Sequence, residues 1–155
     1  MTLFQVDDAG LLYISPIIQD WSILADHAID VVIDLEGGLD SGVPTAPDKF
    51  LYVYFPMYDE DLPDLAKLLS VASLGANLVR SGRRVLCHCT AGFNRSALMA
   101  GLILKQLGTK GTDAVTRLRE RRPGALQRAL RGLPGVCRVR KASAVRRSPR
   151  GEGRP

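Results

Sequence analysis

The run His88-Cys89-Thr90-Ala91-Gly92-Phe93-Asn94-Arg95-Ser96 sets a thiol, a glycine and a guanidinium close together in the chain. The apolar residues before it, Val85-Leu86-Cys87, read as a buried strand, and Ser96 to Leu107 reads as a helix. A loop between a strand end and a helix start presents unpaired first-turn amides with the helix dipole behind them, a ready site for an anion. Gly92 lets the backbone turn sharply or approach a ligand without a Cβ in the way. Arg95, six residues after Cys89, can offer two parallel N–H donors to two phosphate oxygens, a geometry that Lys does not reproduce. The candidate phosphate-binding residues are therefore Thr90, Ala91, Gly92, Phe93, Asn94 and Arg95.

A free cysteine thiol titrates near about 8.5, and a helix N-terminus with a neighbouring cation lowers that value. The spacing thus predicts a thiolate nucleophile at Cys89. His88 is expected to hold the loop by hydrogen bonding rather than to serve as a base, which an ionised thiol does not need. Ser96 is expected to donate its hydroxyl to the sulfur and ease its departure from a phospho-cysteine. A zinc reading of Cys87, His88 and Cys89 lacks the spaced second ligand pair, because only Cys137 remains; no metal and no other cofactor is expected. Cys87 reads as a small core hydrophobe, with a resolving thiol as the alternative.

The pattern H-C-x-x-G-x-x-R-[ST] resembles the signature loop of the cysteine-dependent protein tyrosine phosphatase superfamily, and the chain looks like its compact dual-specificity branch. Expelling an alkoxide or phenoxide calls for a carboxylic acid on a movable loop. In that branch the acid follows a short apolar strand some thirty residues before the cysteine, and Asp59, after Leu51 to Phe55, stands in a similar place. Asp61 is the alternative general acid, and Asp64 reads as the cap of the next helix. A helix ending in the Arg122-Pro123 pair also matches the branch, whereas Gln127 to Leu133 departs from the Asn and Phe usual there.

These residues need a scaffold. The chain has 155 residues, 46% of them hydrophobic, enough for one domain with a core. Leu3 to Val6 and Leu11 to Ile14 read as a hairpin at the sheet edge; Asp20 to His27 reads as a short helix. Ile29 to Leu35, Leu51 to Phe55 and Val85 to His88 read as strands, with Glu36 to Asp48 as loop. A helix over Leu65 to Arg80, with Leu65, Leu68, Leu69, Ala72, Ala76 and Val79 as core positions, and another over Thr112 to Arg122 complete the list. The predicted fold class is α/β: a central, mostly parallel twisted sheet of four to five strands flanked by helices, with the site at the carboxyl ends of the strands.

Residues 1–120 hold 10 Lys and Arg against 15 Asp and Glu, while residues 121–155 hold 11 against 1. The domain reading is a catalytic domain over 1–131 and a basic, disordered C-terminal tail over 132–155, which could contact an acidic partner. No apolar run is long enough for a membrane span and the N-terminus lacks a signal peptide, so the sequence predicts a cytoplasmic protein. The resemblance implies hydrolysis of phosphotyrosine and of phosphoserine or phosphothreonine in phosphoproteins through a phospho-cysteine intermediate. The alternatives are an RNA 5′-triphosphatase, whose loop H-C-T-x-G-F-N-R resembles, a phosphoinositide phosphatase, and a catalytically weak phosphate-binding module.

Overall fold

The computed structural model describes residues 2–127 apart from Glu60 and Leu62. The tail assigned to 132–155 lies outside the described residues. Strands β1 (Phe4–Gln5), β2 (Leu12–Ser15), β3 (Val31–Asp34), β4 (Leu51–Tyr54) and β5 (Val85–His88) form one sheet in the order β1-β2-β5-β3-β4. Only β1 runs antiparallel to its neighbour. Helices are α1 (Ser22–Asp26), α2 (Leu65–Arg80), α3 (Arg95–Gln106) and α4 (Gly111–Arg121). The hairpin does not lie wholly at the edge: β1 does, but β2 pairs in parallel with β5 as well.

The central strands are buried on both faces, which is why they read as unbroken apolar runs. Strand alternation sends Val31, Ile33, Val85 and Cys87 to one core, and Val32 and Leu86 to the other. The larger core lies beneath α2, α3 and α4, and the smaller includes Leu24 of α1 with Trp21, Phe50 and Tyr52 packed against it. Full burial of each such aliphatic side chain contributes about 1.5–3 kcal/mol.

Helix α2 starts where Asp64 accepts from the amides of Ala66 and Lys67. The Lys67 amide, first among these contacts, holds the Asp64 carboxyl below its ordinary range. The buried face is Leu68, Ala72, Gly75, Ala76 and Val79; Leu65 and Leu69, expected in the core, are exposed. Their shift from the core stripe follows from the side of α2 that meets α3. There Gly75 admits Ile103: a Cβ at Gly75 would lie 2.6 Å from Ile103 Cδ1 and 3.3 Å from Ile33 Cδ1. Gly75→Val should therefore overpack this junction and lower unfolding free energy by about 2 kcal/mol, read from urea denaturation.

Candidate active site

Parallel pairing aligns three strand ends. Asp34 is the register partner of His88, and so is Ser15 on the other side. Beyond the strands, Leu35 N–H donates to His88 O at 3.0 Å, Cys89 N–H to Ser15 O at 3.4 Å and Ile17 N–H to Thr90 O at 3.3 Å. The loop then turns back at Gly92, whose φ of 70° is in the left-handed region. A Cβ there would sit 2.7 Å from Pro16 N and Ser15 C, so both conformation and space require glycine. Helix α3 begins at Arg95 with no side-chain cap and no acid in its first turn, which leaves its amides to the loop.

Cys89 is 2% exposed. Its sulfur accepts from Gly92 N–H at 3.3 Å, and Ser96 Oγ lies 3.5 Å away, buried beneath the loop. Arg95 Nη1 donates to Leu35 O at 3.1 Å and to Met57 O at 2.9 Å, and Nη2 donates to Thr90 Oγ1 at 2.8 Å. Its Nε stands 3.5 Å from Asp59 Oδ1. Asp59 Oδ2 accepts from Asn94 Nδ2 at 3.1 Å, and the Thr90 hydroxyl donates to Glu36 Oε1 at 3.2 Å. The two bonds at Nη1 fix the guanidinium plane, while Nη2 is taken by Thr90 and the buried Nε faces Asp59.

That cleft, about 630 Å³, is lined by Asp59, Cys89, Ala91, Phe93, Asn94 and Arg95, closed on one side by Pro123, Gly124 and Gln127. The structure thus brings together the predicted nucleophile, guanidinium and first-choice acid. Asp61 is exposed and is absent from the cleft wall, and Asp64 is occupied as the α2 cap. Cys87 is fully buried, and burial, with the Cys89 charge adding to it, pushes its thiol far up; it packs in the larger core.

His88 points away from the cleft. Its Nε2 lies 3.3 Å from Asp34 Oδ1 and 3.1 Å from Asp40 Oδ2, all three side chains at or below 5% exposed. Tyr52 donates its hydroxyl to Asp34 Oδ2 and Glu36 N–H donates to Asp34 Oδ1 at 2.8 Å. Burial lowers the imidazole from its ordinary value, with Asp34 pulling the other way and Arg95 adding to the lowering. Burial, then Asp34 and Glu36, push the Asp40 carboxyl up to about 6. Among the described residues this is the group whose ligand atoms, one each from Asp34, Asp40 and His88, come within 4.8 Å of one another, as a divalent cation would need. The three groups are close but not hydrogen-bonded: His88 Nδ1 and Nε2 and Asp40 Oδ2 are buried and find no hydrogen-bond partner among the described residues.

Sequence reading missed Asp34, Asp40, Tyr52 and Arg122. The signal for Asp34 was a carboxylate closing an otherwise apolar strand, and for Arg122 the Arg-Pro pair after a helix. Arg122 stacks between the rings of Phe93 and Phe4, with its guanidinium carbon 3.8 Å and 4.2 Å from their centroids.

No curated protein matches the sequence. Among solved structures, Tk-PTP in its active form superposes with a TM-score of 0.62 at 24% identity, covering 81% of this chain and 87% of that one. Human DUSP28 gives 0.65 at 21% identity, covering 79% and 82%. PTPMT1, in a complex with PI(5)P, gives 0.66 at 16% identity, covering 79% and 85%. These likenesses establish the fold. No helix among the described residues is long and apolar enough to cross a membrane. The family model for the dual specificity phosphatase catalytic domain matches residues 12–131, the span that holds the sheet from β2 onward and the whole cleft, and the chain belongs to that family.

Proposed function

We propose that the protein is a phosphoprotein phosphatase that hydrolyses phosphomonoesters of tyrosine and of serine or threonine through a phospho-cysteine intermediate. The observation that carries this reading is the meeting of Cys89, Arg95 and Asp59 on one open cleft. A phosphate seated over the loop takes the Nε–Nη2 edge of Arg95 from Asp59 and Thr90, which now hold it. Cys89 attacks phosphorus as the thiolate, the P–O bond to the leaving group breaks, and Asp59 gives that oxygen its proton. Water then attacks the phospho-cysteine with Asp59 taking its proton, the P–S bond breaks, and the Ser96 hydroxyl donates to the departing sulfur.

The loop amides from Thr90 to Arg95 hold the equatorial oxygens, and His88, buried at the end of β5 beside Asp34 and Asp40, positions the strand end that bears the nucleophile. Charge stabilisation and the nucleophile both come from this chain's own residues, so the proposed reaction proceeds without added metal or other cofactor. A working thiolate suits a reducing compartment, in keeping with a cytoplasmic assignment.

Purified protein should hydrolyse p-nitrophenyl phosphate in EDTA, and Cys89→Ser should reduce the rate by at least about a hundredfold; unchanged turnover in that variant would exclude the thiol mechanism. Asp59→Ala should slow phenyl phosphate, a poor leaving group, about a hundredfold, and p-nitrophenyl phosphate much less. Under the same assay Asp61→Ala should stay within about twofold of the parent, as a surface substitution; the reverse ranking would move the acid to Asp61. Parallel assays of phosphotyrosine peptide, phosphothreonine peptide and triphosphate-ended RNA decide the substrate class, with release from both peptides expected.

A further inference from the structure

Arg122 follows the last turn of α4 and reaches the phosphate loop at the Ala91 and Gly92 carbonyls. Its Nη2 donates to Ala91 O at 3.3 Å and its Nε to Gly92 O at 3.5 Å. A trans peptide is planar, with its C=O and N–H pointing to opposite sides. The Ala91 carbonyl gripped by Arg122 belongs to the same peptide group as the Gly92 N–H, which donates to Cys89 Sγ at 3.3 Å. The next peptide is held at its Gly92 oxygen in the same manner, which directs the Phe93 N–H away from Arg122. The Phe93 carbonyl is held as well, since Leu126 N–H donates to Phe93 O at 2.9 Å.

We propose that Arg122 is a positioning residue for the phosphate loop: by holding the Ala91 and Gly92 carbonyls from behind, it aims the loop amides at the sulfur and the incoming phosphate. Through the aligned peptide dipoles, it also places a second positive charge behind the thiolate. This inference rests on the thiolate reading of Cys89 given above. A guanidinium suits the place for two reasons. Its flat face fits between the Phe93 and Phe4 rings, and its fork reaches two successive carbonyls at once. Burial in that slot lowers the Arg122 guanidinium from its ordinary value, while the Cys89 charge pulls it up.

The test uses the full chain and reads Cys89 directly. Alkylation by iodoacetamide is followed on the Cys89 peptide by mass spectrometry at pH 6.5 and pH 9.5, and orthovanadate inhibition is measured alongside. In Arg122→Met, which keeps bulk between the rings but loses the charge and the fork, the ratio of the rates at the two pH values should fall about fivefold and the vanadate inhibition constant rise about tenfold. Arg122→Lys, which keeps the charge, should recover part of both. Phe4→Leu loosens the slot from β1 and should shift both readouts in the same direction by a smaller factor. Parental values of both readouts in Arg122→Met would overturn the proposal, and if that variant does not fold, parental values in Phe4→Leu would do so. A wild-type protein that binds vanadate and is alkylated at Cys89 yet hydrolyses no phosphomonoester would sink the phosphatase reading and leave this one standing.

Discussion

The Arg95 guanidinium holds the site together because it is bonded to the ends of three parallel strands at once. Leu35 follows β3, Met57 follows β4 and Thr90 follows β5, and each gives it an acceptor. The segments that leave the carboxyl ends of parallel strands line one crevice, so one cation there can reach two main-chain carbonyls and the Thr90 hydroxyl. The two bonds at Nη1 hold the cation in place, and in the proposed reaction a bound oxyanion takes over Nε and Nη2 from Asp59 and Thr90. The anion site is thus a property of the sheet's topology as much as of the loop's composition.

Beneath this lies a second layer of charge. Asp34, Asp40 and His88 are buried together, an arrangement that costs desolvation unless the groups satisfy one another. Tyr52 and the Glu36 amide complete Asp34's partners. The His88 ring nitrogens and Asp40 Oδ2 stay buried without a hydrogen-bond partner among the described residues, so the last residue of β5, and with it the start of the loop, is held by the main-chain pairing of β3 with β5 and by the Leu35 N–H on His88 O.

What could be read from the chain divides by the range of the interaction. The α2 boundaries, Leu65 and Arg80, were legible because the Asp64 cap and the Ser81-Gly82 exit are local signals. Helices α3 and α4 lie within one residue of the sequence expectation without a side-chain cap, because Gly108 and Pro123-Gly124 mark their exits. The side of α2 that is buried was only partly legible, because Leu65 and Leu69 are apolar yet the docking against α3 is decided by the Gly75–Ile103 contact. In the cleft, Cys89 and Arg95 share one loop and so announce each other, and Asp59 was found through family spacing. Asp34 and Asp40 meet His88 only once β3 and β5 are paired, and Arg122 meets Ala91 and Gly92 only after the chain has returned past α4. No periodicity encodes such encounters.

The contact at Gly92 is made against the main chain of Ser15 and Pro16, not against their side chains. Any larger residue at position 92 would collide with atoms common to every amino acid at position 15. A second-site suppressor in that neighbour is therefore out of reach: no side-chain exchange there can make room. The glycine is constrained by the course of the polypeptide itself, and drift at Ser15 neither tightens nor relaxes that constraint.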